Sequence, residues 1–81
     1  MRVDKFLKVS RILKRRALAQ EACSGNRVKV NGRSVKSSFQ LKIGDVVEVA
    51  FNSGTVIFKV LDLKETVRKE QAESLYEIIT E

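Results

Sequence analysis

Histidine is absent from the sequence, and so are proline and tryptophan. Without histidine there is no side chain whose ordinary pKa suits acid–base work near neutral pH, and no imidazole to hold a metal. The single cysteine, Cys23, cannot form an internal disulfide and offers no cysteine cluster to zinc. Its place on the apolar side of an expected helix marks it as core filling rather than a nucleophile. The four glycines are scattered turn formers, with no spacing that cradles a phosphate. Asp45 and Glu48 sit beside and within an expected strand with no partner base, so a solvated strand face accounts for them. These absences argue against an enzyme, and no cofactor or metal site is expected. Long apolar runs are missing too. Nothing approaches the roughly 20 residues that cross a bilayer, and the opening MRVDKFLKVS lacks the apolar block of a secretory signal. The expectation is a cytoplasmic protein with no membrane partner.

What is present is charge, unevenly spread. The chain of 81 residues reads as one domain with a modest core, and 43 % hydrophobic with 32 % charged residues is a globular composition. Residues 1–36 hold eleven Lys/Arg and two Asp/Glu, a net of +9. Residues 37–81 hold five Lys/Arg and eight Asp/Glu, a net of −3. A basic half joined to an acidic half points to a basic face aimed at a polyanion.

The hydrophobic period divides the chain. Val3, Phe6 and Leu7 share a face, predicting a helix over Arg2–Val9, with Asp4 and Lys8 spaced as an ion pair. A second helix is expected over Ile12–Ser24. Leu18, Ala19, Ala22 and Cys23 would form its buried stripe, Ser10 the cap of the helix or of its leading turn, and Gly25 its left-handed stop. Then the period changes to two. Val28 and Val30 alternate with Arg27 and Lys29, and Asn31-Gly32 signals a type I′ hairpin turn. Strands follow at Val46–Phe51 and Thr55–Leu63. The tail from Glu65 fits a short helix beginning near Arg68, while Tyr76–Thr80 suits helix or strand equally. The fold class expected is α+β, two N-terminal helices packed on a small antiparallel sheet with a short C-terminal helix. The division expected is residues 1–63 as the main unit and 64–81 as a tail packed on it.

On the second helix Arg11, Lys14 and Arg15 are spaced to form one basic stripe, with Arg16 and Gln20 beside it. Arg27 and Lys29 lie on the outward face of the hairpin. Such a helix and hairpin can line a concave basic surface, with guanidinium groups suited to paired contacts with phosphate oxygens. Arg16 reads as a surface charge whose loss costs no more than about 0.5 kcal/mol of stability. A DNA reader needs base-reading side chains on its recognition helix. Single-strand binders need aromatic platforms, and here Phe6, Phe51 and Phe58 fall on core faces while Phe39 and Tyr76 are unplaced. Shape-based recognition of folded RNA fits best. A protein–protein adaptor whose basic half docks an acidic partner is the competing reading.

MRVDKFL, then RR-x-LA, then GNRVKVNG, then L-K-x-GD-x-V-x-V resemble, in order and spacing over about residues 1–60, the RNA-binding domain of the ribosomal protein S-four type. It is also called the α-L RNA-binding motif. With KEQAESLYEI added, nearly the whole chain resembles the bacterial ribosome quality-control P (RqcP) family, related to the fifteen-kilodalton heat-shock proteins. That resemblance implies a non-catalytic, ribosome-associated monomer. It would bind 23S rRNA and peptidyl-tRNA on the stalled large ribosomal subunit and steady the P-site tRNA while RqcH directs alanine tailing. The heat-shock alternative implies recycling of stalled subunits without tailing. By position the resemblance implies RNA contacts from Arg2, Arg11, Arg15 and Arg16, supported by Lys5 and Lys14, and from Arg27, Lys29, Asn31 and Gly32 of the hairpin. It leaves Asp4 to pair with Lys8 or to orient a neighbouring arginine.

Overall fold

Alternation of apolar and polar residues builds a five-stranded antiparallel sheet. The computed structural model describes residues 1–80; Glu81, the last residue of the expected tail, lies outside the described residues. The strands are β1 (Val28–Val30), β2 (Arg33–Ser34), β3 (Val46–Phe51), β4 (Gly54–Val60) and β5 (Tyr76–Thr80), in the spatial order β2-β1-β3-β4-β5. Register sets Val28 opposite Val49, Val30 opposite Val47, and Val47 opposite Phe58. Every second residue therefore stacks into one apolar face, while Lys29 faces Glu48 on the other.

Helices α1 (Val3–Val9) and α2 (Arg16–Ser24) cover the apolar face. Val3, Phe6 and Leu7 of α1 and Ala19 and Cys23 of α2 join the sheet valines in one core. Phe6 stacks on Phe58 with ring centroids 6.1 Å apart, and Tyr76 meets Phe58 edge-on at 5.5 Å. Burying a ring of this size contributes about 1.5–3 kcal/mol. A 3-10 helix, Lys69–Leu75, leads into β5 and buries Leu75. The fold is the expected α+β arrangement, and the C-terminal segment resolves into this 3-10 helix followed by a strand.

Several local expectations fail for physical reasons. The second helix begins at Arg16, not Ile12. Residues 11–15 form a turn in which Arg11 takes φ 64° and Leu13 N donates to Leu7 O at 3.0 Å. Ile12 and Leu13 pack on the core from this turn, which tucks both side chains inward. Leu18 is 43 % exposed, because the shorter helix buries only Ala19, Ala22 and Cys23. Ser10 ends α1 instead of starting α2, its hydroxyl donating to Leu7 O. Gly25 does stop α2, but with φ −86°; Asn26 takes the left-handed conformation at φ 59°. Strand β4 ends at Val60, short of Leu63.

Candidate nucleic-acid interface

Asp4 sits in the first turn of α1 and is fully buried. It does not pair with Lys8. Its Oδ1 accepts from the Lys5 backbone N–H at 2.7 Å. Its Oδ2 accepts from Arg2 Nη2 at 3.2 Å and Gln20 Nε2 at 3.0 Å, with Arg16 Nε at 3.3 Å. Arg2 precedes α1 and Arg16 opens α2, so one carboxylate ties the starts of both helices and carries two guanidinium groups outward, each about two-fifths exposed (42 % and 43 %). Burial would push the Asp4 carboxyl up. The hydrogen bonds from Gln20, Arg16 and Lys5 N, with the charge of Arg16, outweigh burial and hold it below the ordinary aspartate value. The same carboxylate offsets the unfavourable placement of Arg15 and Arg16 at the positive end of α2. Among the described residues Arg2 Nε is buried with no partner, a local cost of the kind found at functional positions.

The expected basic stripe is redistributed by the turn at residues 11–15. Arg11 and Lys14 do come together, but in a cavity of about 570 Å³ that also gathers Lys8 and Lys69. Those two cations escaped the sequence reading, because Lys69 reaches the group only through the tertiary fold. Arg15 flanks α2 as its exposed N-cap. Lys5 pairs with Glu65 at the start of the tail. That contact, by hydrogen bond first and charge second, holds the Glu65 carboxyl below its ordinary value.

The hairpin forms as expected. Asn31 and Gly32 take φ 52° and 85°, the two positive values a type I′ turn requires. The Asn31 amide is engaged at both ends: it donates to Asp45 Oδ1 at 3.1 Å and accepts from Val46 N at 3.0 Å. Its side chain thus clasps the hairpin to β3. Lys29 is exposed on the sheet's outer face. Arg27 lies over the end of α2, its Nε 3.3 Å from where a Cβ on Gly25 would sit. Between α2 and the segment 34–38 runs a cavity of about 510 Å³, lined by Arg2, Gln20, Ser24, Asn26 and Lys36 among others, with no acidic lining residue among the described residues. Burial first, and the Asp4 charge second, push the Cys23 thiol up, so this buried group is protonated and inert at neutral pH.

The sequence alone does not place Phe39. It is the only aromatic in the exposed class among the described residues. No periodicity marks it, since it sits in the loop between β2 and β3.

Two helices on an antiparallel sheet, with guanidinium groups grouped at the helix starts and a basic hairpin beside them, define an RNA-binding domain of the S4 class. The S4 domain family model matches residues 1–47, and the chain belongs to that family. The particular branch follows from full-length relatives. The chain is 51 % identical over 100 % of its length, and 92 % of the relative's, to the RQC P-site tRNA stabilizing factor of Streptococcus pneumoniae. It is 46 % identical to the factor of the same name from Bacillus subtilis, covering 100 % of this chain and 94 % of that one. It is a member of this family of ribosome quality-control factors. Its fold is also similar to solved heat shock protein 15 of Vibrio cholerae, described as trimeric: TM-score 0.91 and 26 % identity over 96 % of this chain and 80 % of that one.

Proposed function

We propose that this chain is a non-catalytic RNA-binding factor of ribosome quality control. It binds 23S rRNA and peptidyl-tRNA on the stalled large subunit and stabilises the P-site tRNA during RqcH-dependent alanine tailing, in the cytoplasm and as a monomer. The observation that carries this reading is full-length identity of 46–51 % to proteins named for stabilising a P-site tRNA. The geometry adds the surface. Arg2 and Arg16, held on Asp4, with Arg15, Arg11 and Lys14 of the adjoining turn, make the helical part of the contact. Arg27 and Lys29 make the hairpin part, on a turn shaped by Asn31 and Gly32. Lys5 serves first as the tie to Glu65. Residues 1–63 form the unit that carries the RNA face, and the tail from residue 64 packs on that unit. Pairing of β5 with β4 and burial of Leu75 support that division.

The test is affinity purification of the tagged protein from cells, with sequencing of crosslinked RNA and blotting for tRNA-bound nascent chains. Crosslinks to 23S rRNA and P-site tRNA are expected, and alanine tails disappear on deletion. Crosslinks elsewhere, or none, overturn the reading. The likeness to heat shock protein 15 favours one second reading, a binder that recycles stalled subunits without tailing. On that reading, deletion leaves alanine tails intact.

A further inference from the structure

We propose that Phe39 is a stacking platform for an unpaired nucleobase of the bound RNA, an inference that rests on the RNA-binding reading above. Phe39 lines a cavity of about 670 Å³ together with Val35, Arg33, Lys36 and Ser38. That volume has room for a nucleotide. Val35 and Phe39 give an apolar wall, Ser38 a hydroxyl for a base edge, and Arg33 and Lys36 two cations for the flanking phosphates. Among the described residues no lining residue is acidic, so the cavity suits an anionic ligand with a flat apolar part. A nucleotide is that ligand, because every base has a π-face while its backbone carries the charge.

The backbone that carries the ring is fixed in advance. Phe39 O accepts from Val3 N at 2.8 Å, and Phe39 N donates to Lys36 O at 3.0 Å. Its neighbour Gln40 bridges to Arg2, and Leu41 N donates to Met1 O at 2.8 Å. The loop is thereby laced to the residues that begin α1, so little ordering entropy is lost when a base settles on it. The site is also continuous with the basic face. Val35, Lys36 and Ser38 line both this cavity and the polar one that contains Arg2. A strand whose phosphates follow the polar side can turn one base onto the ring.

The experiment uses the full chain, an RNA stem-loop carrying 2-aminopurine in its loop, and the blunt duplex of the same stem. Phe39→Ala and Phe39→Leu are expected to weaken stem-loop binding about 5- to 150-fold, the equivalent of about 1–3 kcal/mol for one stacked base. Duplex binding and the salt dependence stay unchanged, since no cation is removed. Phe39→Trp keeps the affinity. Because the chain has no other tryptophan, its fluorescence reports the contact directly and is quenched by the stem-loop but not by the duplex. Should Phe39→Ala and Phe39→Leu bind the stem-loop as wild type does, or lose both RNAs equally, the stacking role is overturned while RNA binding stands. If wild type binds neither RNA, the RNA-binding reading fails and takes this inference with it.

Discussion

Asp4 converts two surface arginines into parts of the fold. A buried carboxylate is tolerable only while its partners remain, so Arg16 is not the indifferent surface charge its position in the sequence suggests. Arg16→Ala removes one charged partner but leaves Arg2, Gln20 and the Lys5 N–H on Asp4. Loss of a charged partner from a buried carboxylate, discounted because Arg16 is partly exposed, predicts a cost of about 1–2 kcal/mol. Urea unfolding of Arg16→Ala against wild type measures it, and identical midpoints would show that Asp4 does not depend on this arginine. Asp4 also sets a pH dependence. Its carboxyl is held below the ordinary value in the folded state. Its contribution is therefore complete above the unfolded aspartate pKa, about 3.9, and is lost as pH falls through the lower folded value. Asp4→Asn should lower stability at neutral pH, and the gap to wild type should close in acid. A gap that stays constant from neutral pH down to about pH 2 would assign the loss to shape rather than ionisation.

At the scale of elements, the hairpin and the α1–α2 turn show opposite sides of sequence reading. The type I′ turn needs positive φ at Asn31 and Gly32, and both residue types supply it. A Cβ at Gly32 meets nothing within 4 Å, so Gly32→Ala costs only backbone strain at φ 85°, about 1–2 kcal/mol. Thermal unfolding measures that, and an unchanged midpoint would mean that the turn adopts another form. This hairpin was legible because its cause is local: two valines in alternation and a dipeptide that fits one turn. The limits of β3 were legible for the same reason. The start of α2 was not. Ile12 and Leu13 are drawn in by a turn around Arg11, and that follows only from the packing of α1 on the core. Asp4 with its two arginines was half legible. A role in orienting an arginine was open from its position, but the choice between Arg2, Arg16 and Lys8 belongs to the tertiary fold. The site residues on the hairpin could be placed from sequence, whereas the cation group at Lys8 and Lys69 and the exposure of Phe39 could not.

At the scale of the whole molecule, the uneven charge along the chain becomes uneven charge in space. The basic residues 1–36 build α1, α2, β1 and β2, while the acidic remainder contributes β3, β4 and β5, with β2 and β5 at opposite edges of the sheet. The molecule is 23–28 Å across, more than twice the screening length of about 8–10 Å near physiological salt. Acidic charge at the β5 edge therefore does little to cancel the basic one, whereas Glu65, tied to Lys5, cancels part of it directly. Binding through the basic half should weaken steeply with salt, because each phosphate contact releases counterions. The steepness also separates specific contacts from bulk charge. Lys29→Ala and Lys5→Ala each remove one positive charge, so their effects on net charge are the same. Lys29 is exposed on the hairpin, whereas Lys5 is tied to Glu65. In a salt titration of binding to a structured RNA, Lys29→Ala should make the slope of log K against log salt shallower by about 0.7–0.9, one phosphate contact's worth. Lys5→Ala should leave the slope where it is. Equal shifts for the two variants would mean that charge acts in bulk and that the hairpin holds no particular phosphate.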